Sequence, residues 1–402
     1  MSNVQLKSVS QRSLNVEGSI TMQISSLAQQ MRRDGQNVIG FGAGEPDFDT
    51  PDFIKEAGIK AIRDGQTKYT PAAGTVDLKE AIVRKLQRDQ NVSYAPDQIV
   101  VSCGAKHSVY NVLMALINPG DEVLIPAPYW VSYPQQARLL EGVPVVIDTN
   151  EASQFKITPE QLERAITPKT KVLILNSPSN PTGMVYTRSE LEALAAVIVK
   201  HQIYVLSDEI YEHLIYDNTK HVSIAELGDE IKALTIVVNG VAKAYSMTGW
   251  RIGYTASSVE IAKAMGKMQS HMTSNPASMA QAAAQAALDG PQDVVEEMRL
   301  AFDERRQQMM RLLSEIEGVT CEMPQGAFYM FPNVSAVFAK STPDKKLANC
   351  FDFCQTLLKE AMVACVPGIG FGAEGYLRLS YATSSEMIDE GLTRLKDWVH
   401  SL

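Results

Sequence analysis

Asn239-Gly-Val-Ala-Lys243-Ala-Tyr-Ser-Met-Thr-Gly-Trp-Arg251-Ile-Gly-Tyr254 follows the apolar run Leu234-Thr-Ile-Val-Val238, which reads as a fully buried strand. Past the strand end the stretch sets a lysine and, eight residues on, an arginine among small residues. A lysine buried beside another cation stays partly neutral, which suits it to forming a Schiff base with a carbonyl. An arginine presents a planar fork that holds a phosphate through paired hydrogen bonds. Together they suit a carbonyl compound that also carries a phosphate. A single Lys-x7-Arg pair is ordinarily a strand, a loop and two exposed cations, so the rest of the chain has to carry the weight.

Working outward, Ile99-Val-Val-Ser102, Glu122-Val-Leu-Ile125, Val145-Val-Ile147, Val172-Leu-Ile-Leu175 and Ile203-Tyr-Val-Leu206 are further short apolar runs. Helical patterns over 77–90, 159–166 and 189–201 lie between several of them. Strands alternating with helices predict an α/β fold with a mostly parallel, helix-covered sheet. Ligands then gather at the carboxyl ends of the strands. Two such ends carry polar segments that packing explains poorly, Asn176-Ser-Pro-Ser-Asn180-Pro-Thr-Gly183 and Ser207-Asp208-Glu209-Ile-Tyr211. At a third, Cys103-Gly104-Ala105-Lys106 leads into a helix whose apolar face is Val109, Val112, Leu113, Leu116 and Ile117. Unpaired N–H groups and the positive dipole end at such a helix start make an anion site.

The first 36 residues read as an arm and one helix, with Ile24, Leu27, Ala28 and Met31 on its apolar face. A short strand, Val38–Phe41, runs into the turn Gly42-Ala-Gly44. A helix follows with Thr50 as cap, Pro51 as first residue and Gly65 as stop. Residues 126–134 read as a loop dense in aromatic rings and prolines. Residues 276–290 and 293–316 are helical, and the second of these leads toward a smaller α/β unit. That unit holds Gly326–Phe331, the strand Leu377–Thr383 and a last helix with Ile388, Leu392, Leu395 and Val399 inward. Three segments result: 1–49 as arm and part of the small domain, 50–290 as the large domain, and 291–402 as the small C-terminal domain.

A chain of 402 residues exceeds one ordinary core, in keeping with this division. Its formal net charge of −9 argues against a nucleic-acid partner or an anionic membrane surface. There is no apolar run long enough to span a bilayer and no secretory signal at the start. The five cysteines form no C-x-x-C pair, which fits reduced thiols in a cytoplasmic protein. The six histidines show no ligand spacing, so no metal site is predicted.

From about residue 14 to the end, these motifs resemble, in order, those of the class I (fold type I) pyridoxal-phosphate-dependent aminotransferases, closest to the bacterial aspartate aminotransferase branch. The resemblance implies that Lys243 holds pyridoxal 5'-phosphate and moves the substrate proton. It puts Asp208 at the pyridine nitrogen, Tyr211 and Asn180 at the ring oxygen, and Trp130 against the ring. The phosphate falls to Arg251, to the N–H groups of Gly104 and Ala105, and to Tyr69 of a neighbouring subunit, so the implied enzyme is a homodimer with shared active sites. The substrate α-carboxylate falls to Arg378, with Asn180 and Gly44, and a distal carboxylate to Lys106. Some relatives carry serines where this chain has Gly240 and Ala242, which puts the phosphate contacts in doubt. The implied reaction moves the amino group of aspartate to 2-oxoglutarate by a ping-pong route.

Other readings stay open on the residues alone. Prephenate, aromatic or broad-specificity transamination needs only a different pocket. A pyridoxal-phosphate lyase would use the same lysine, aspartate and arginine. A transcription regulator with an aminotransferase-like domain would add a basic DNA-binding segment. A dinucleotide dehydrogenase is weakest, because Gly368-Ile-Gly-Phe-Gly372 precedes a strand where a dinucleotide loop opens a helix.

Overall fold

The computed structural model describes residues 9–16, 18, 20–340 and 347–402, so the first eight residues of the predicted arm lie outside it. The described strands are β1 (Ile39–Gly40), β2 (Ile99–Ser102), β3 (Glu122–Pro126), β4 (Val143–Ile147), β5 (Thr170–Asn176), β6 (Tyr204–Asp208), β7 (Thr235–Gly240), β8 (Gly253–Ala256), β9 (Tyr329–Met330), β10 (Val363–Ala364), β11 (Val366–Pro367) and β12 (Leu377–Ser380). Seven form one sheet in the order β2-β8-β7-β6-β5-β3-β4. From β4 to β7 all neighbours are parallel, and β8 runs antiparallel to both β7 and β2. The return from β7 to β8 holds only a short 3-10 turn, Thr248–Trp250, and no crossover helix. Without a crossover helix the chain folds back antiparallel. That hairpin-like return is the stretch bearing Lys243 and Arg251.

β2, β7 and β8 are buried throughout, as strands covered on both faces must be. β4 is the more exposed of the two edges, with Val143 and Val146 nearly half exposed. The parallel register sets Asn176 of β5 beside Asp208, and Asp208 beside Val238 of β7. The polar strand ends picked out in the sequence therefore stand side by side.

Most expected helices are present, as Val76–Gln90, Pro159–Ala165, Arg188–His201, Ser278–Asp289, Asp293–Ser314 and Ser385–His400. Three details differ. Asp52–Arg63 has Pro51 at its cap position, and Thr50 does not cap it. The Thr50 hydroxyl instead donates to Ser246 O at 2.6 Å and accepts from Trp250 Nε1 at 3.0 Å, tying the helix entrance to the lysine loop. Residues 126–134 are not all loop, because Ser132–Leu139 is helical. Pro134 falls in its first turn, where a missing N–H costs nothing. Val259–Met272 and Cys350–Ala361 are further helices, the latter burying Cys350, Phe353, Cys354, Leu357 and Leu358 along one stripe.

β11, β12 and β9 form a small antiparallel sheet, and β1 pairs in parallel with β10. Phe41, Phe302, Phe328, Phe353, Leu379 and Ile388 share one core there, so early and late parts of the chain pack together. Helix Ser385–His400 crosses β1 closely at Gly391, where a Cβ would overlap the Phe41 ring. Phe41 is fully buried and has nowhere to move. An ordinary helical Gly→Ala exchange stabilises by about 1 kcal/mol. Gly391→Ala should instead lower stability by about 1–3 kcal/mol, the usual cost of overpacking. The denaturant midpoint decides it, and a raised midpoint would mean the contact yields.

Candidate active site

Lys243 lies three residues past β7. Gly240 lets that loop turn, because a Cβ there would lie 2.9 Å from Ile252 O. Lys243 Nζ donates to Gly44 O at 2.5 Å and stands 5.9 Å from the ring centres of both Tyr211 and Phe328. Burial, then the nearby Arg378, brings its pKa down to about 8. Near neutral pH a useful share of the amine is thus free base.

Asp208 ends β6 and is buried. Burial pushes its pKa up to about 6, against the pull of Tyr133. The Tyr133 hydroxyl donates to Asp208 Oδ2 at 2.6 Å, and Ile210 N lies 3.3 Å from Oδ1. Trp130 meets Tyr133 edge to face at 5.3 Å. Tyr211, also buried, has its hydroxyl 2.8 Å from that of Tyr329. Sequence reasoning picked neither Tyr133 nor Tyr329. Tyr133 stands three residues after Trp130, one helical turn away, and the helix starting at Ser132 was the missing signal. Tyr329 lies in the Gly326–Phe331 run, and nothing local marks it.

Gly104, at φ +85°, turns the chain from β2 into helix Ala105–Leu116. A Cβ on Gly104 would overlap the guanidinium of Arg251, which is itself left-handed at φ +57°. Arg251 Nη1 donates to Thr248 O at 2.9 Å. The helix start and the arginine thus face one cup that only glycine leaves open. Lys106, on the first turn, places its ammonium 5.0 Å from the Trp130 ring centre. Burial and then Arg251 lower its pKa.

Arg378, on β12, is buried. Its Nη1 donates to Asn180 Oδ1 and its Nη2 to Gly42 O, each at 3.0 Å, while its Nε has no partner. The guanidinium lies 4.4 Å from the Tyr329 ring centre and 5.1 Å from that of Phe371. The Asn180–Pro181 bond is cis. Gly44 faces the same space, where a Cβ would come 3.3 Å from the Tyr329 hydroxyl. Tyr69 stays apart, 87% exposed.

Among the described residues, Lys106, Lys243, Arg251 and Arg378 form no ion pair with a carboxylate, whereas the buried Lys85, Lys156 and Arg306 each do. Four unpaired cations in one cleft make a site for anionic ligands. The residues fit pyridoxal phosphate on this evidence. A free amine, a cup for a phosphate and a buried carboxyl for a ring nitrogen lie together, and the orphaned Arg378 Nε awaits an acceptor.

Asp208 yields a stability test on the chain free of cofactor. Its folded pKa is raised, so its contribution is most favourable below the unfolded value and is lost as pH rises through about 6. Asp208→Asn removes the buried charge and leaves an oxygen for Tyr133. Cofactor-free Asp208→Asn should therefore be more stable than the parent at pH 8, by about 2–3 kcal/mol. The gap should shrink as pH falls toward 4. Melting curves across that range measure it, and a gap independent of pH would contradict a buried charge.

The comparisons with known proteins agree with this geometry. Residues 36–395 match the family model described as aminotransferase class I and II. The chain is 51% identical over 390 residues to the aspartate aminotransferase of Geobacillus stearothermophilus, covering 96% of this chain and 98% of that one. It is 47% identical to the aspartate/prephenate aminotransferase of Nitrosomonas europaea, with the same two coverages. The crystal structure of the aspartate aminotransferase from Rhizobium meliloti superposes with a TM-score of 0.95 at 44% identity, over 98% of this chain and 99% of that one. With a buried free amine at the end of β7 and this match across nearly its whole length, the chain belongs to the class I and II aminotransferases, enzymes that transfer amino groups with pyridoxal phosphate.

Proposed function

We propose that the enzyme moves the amino group of aspartate to 2-oxoglutarate, alternating two half-reactions at one site. The observation that carries this is the unpaired cation set, with Arg378 deep on one side and Lys106 beside Trp130 on another. A dicarboxylate needs a cation at each end. Relatives named aspartate aminotransferase at about 50% identity support the same reading.

The residues take these roles. Arg378 grips the α-carboxylate through its planar fork, held in aim by Asn180, Gly42 O and the ring of Tyr329. Gly44 keeps the backbone close to that end. Lys243 Nζ would take the proton from the substrate Cα and hold it there. Pyridoxal phosphate, when bound, supplies the electron sink for the carbanion. Asp208 keeps the ring nitrogen protonated, and Tyr133 fixes the carboxyl that does so. Tyr211 and Asn180 donate toward the ring oxygen, and Trp130 covers a ring face. Arg251, Gly104 and Ala105 hold the phosphate.

Tyr69 serves the phosphate of a second copy, so the working unit is a homodimer. Its exposure, and that of the apolar Ile62 and Val76, supports this. Residues 50–290 act as the cofactor-holding domain, and 1–49 with 291–402 as the part that brings Arg378. A cytoplasmic location fits the free cysteines. A second reading, amino transfer to prephenate beside aspartate, is favoured by the Nitrosomonas europaea relative.

Two substitutions separate the carboxylate readers. Arg378→Ala removes the contact common to every amino acid and should damage aspartate and alanine turnover alike. Lys106→Ala should lower kcat/KM for aspartate and glutamate by about tenfold to a hundredfold, the worth of a charge-assisted hydrogen bond, and spare alanine and aromatic donors. An equal loss on all donors would make Lys106 a phosphate or structural contact and remove the case for an acidic substrate. Assaying prephenate as acceptor on the same proteins tests the second reading.

A further inference from the structure

Behind the site, on side chains that the roles above leave unused, lies a second cluster of charge. Glu209 and Glu212 are buried, and Lys85 and Gln90 reach them from helix Val76–Gln90. Lys85 Nζ pairs with Glu212 Oε1, and Gln90 Nε2 bridges Glu212 Oε2 and Glu209 Oε2. Ser207 and Ser223 donate to Glu209 Oε1 at 2.7 and 2.8 Å. His221 Nε2 lies 3.2 Å from Glu209 Oε2. Asn239, also buried, donates through Nδ2 to Glu212 Oε1 at 2.7 Å, and its own Oδ1 accepts from Gly240 N at 2.7 Å.

Ligating atoms of Glu209, Glu212 and His221 lie within 4.8 Å of one another, a grouping that no sequence spacing reveals. It is already served without a metal ion. Each of the four carboxylate oxygens accepts from a protein donor, and Lys85 supplies the positive charge. Burial would raise the Glu212 carboxyl, but Lys85, then His213, 3.6 Å from Glu212 Oε1, and His221 hold it down to about 2, so it stays an anion.

Chain position says what the cluster joins. Glu209 follows Asp208 directly, and Glu212 follows Tyr211. Asn239 and Gly240 are the last residues of β7 before the loop that bears Lys243. Glu209 N also donates to Val238 O at 2.9 Å, extending the β6–β7 ladder by one bond. We propose that Glu212, anchored by Lys85, is a positioning residue which acts through Asn239 to fix the lysine loop against the Asp208–Tyr211 segment. It sets the approach of Lys243 to the reacting carbon and touches neither substrate nor cofactor. This rests on the roles proposed above for Lys243 and Asp208.

The experiment compares the holoenzyme with Asn239→Ala and with the double variant Lys85→Met, Glu212→Leu. The first removes the side-chain hydrogen bond from Glu212 to the end of β7. The second exchanges a buried ion pair for apolar groups, a change folds often tolerate, and deprives Asn239 of its acceptor. Three quantities are read: kcat per cofactor-bearing site, KM for the amino donor, and the pH midpoint of the cofactor's absorbance change. Borohydride reduction first locates the cofactor. A label away from Lys243 overturns the site assignment and with it the clamp. With the label on Lys243, both variants should lose about tenfold to a hundredfold in kcat, the scale for a small misplacement of a reacting group. KM should change less than about threefold, and the midpoint should move in both. Parental kcat and midpoint in either variant overturn the proposal. So does a kcat loss with an unmoved midpoint, which is the mark of a merely weakened fold.

Discussion

Holding the Asp208 carboxyl at the dry end of β6 is the constraint on which the site depends. A lone carboxylate in that position is unfavourable, which is why its pKa rises to about 6. Hydrogen bonds from Tyr133 and from Ile210 N offset only part of this. A cationic group brought against it would offset the rest, so this poorly solvated acid is suited to hold the ring nitrogen proposed for it. Lys243 has the complementary problem. Burial beside Arg378 and Arg251 disfavours its ammonium, and the same crowding frees its lone pair. Acid and base are each pushed away from their ordinary charge state, a pattern expected where proton transfer is the task.

The sheet makes this crowding possible. Parallel strands deliver every carboxyl end to one edge, so Asn176, Asp208 and the start of the lysine loop become neighbours although they are far apart in the chain. The antiparallel β8 then brings Arg251 back to the same edge, against the helix start at Gly104. Arg378 arrives from β12 of the small sheet, pressed on Tyr329. Tyr329 touches both sides of the site, its hydroxyl on Tyr211 and its ring on Arg378.

What could be read in the sequence was whatever is local. Buried strands such as Thr235–Gly240 announce themselves by unbroken apolar runs, and Lys243, Asp208 and the turn at Gly104 sit at their ends. Partners supplied from a distance could not be read. Tyr133 meets Asp208 across 75 residues, Tyr329 meets Tyr211 across 118, and Lys85 meets Glu212 across 127. Thr50 shows the same limit. Its residue type says helix cap, but the Trp250 indole competes for the hydroxyl and wins. The stripe of Cys350, Phe353, Cys354, Leu357 and Leu358 is a different case, a helical pattern present in the sequence and passed over.

The pairing of β1 with β10 has a consequence for how the molecule is made. Every strand of the seven-stranded sheet lies between residues 99 and 256, so that sheet holds all its partners long before synthesis ends. Ile39 and Gly40 must wait for Val363 and Ala364, more than three hundred residues later. Until then Ile39 and Phe41, among the first apolar side chains to emerge, have no core to enter. The small unit is closed by its oldest and youngest segments together, the kind of distant contact that slows folding and leaves apolar surface open to chaperones. Arg378, on β12, is therefore seated late, against a seven-stranded sheet already built.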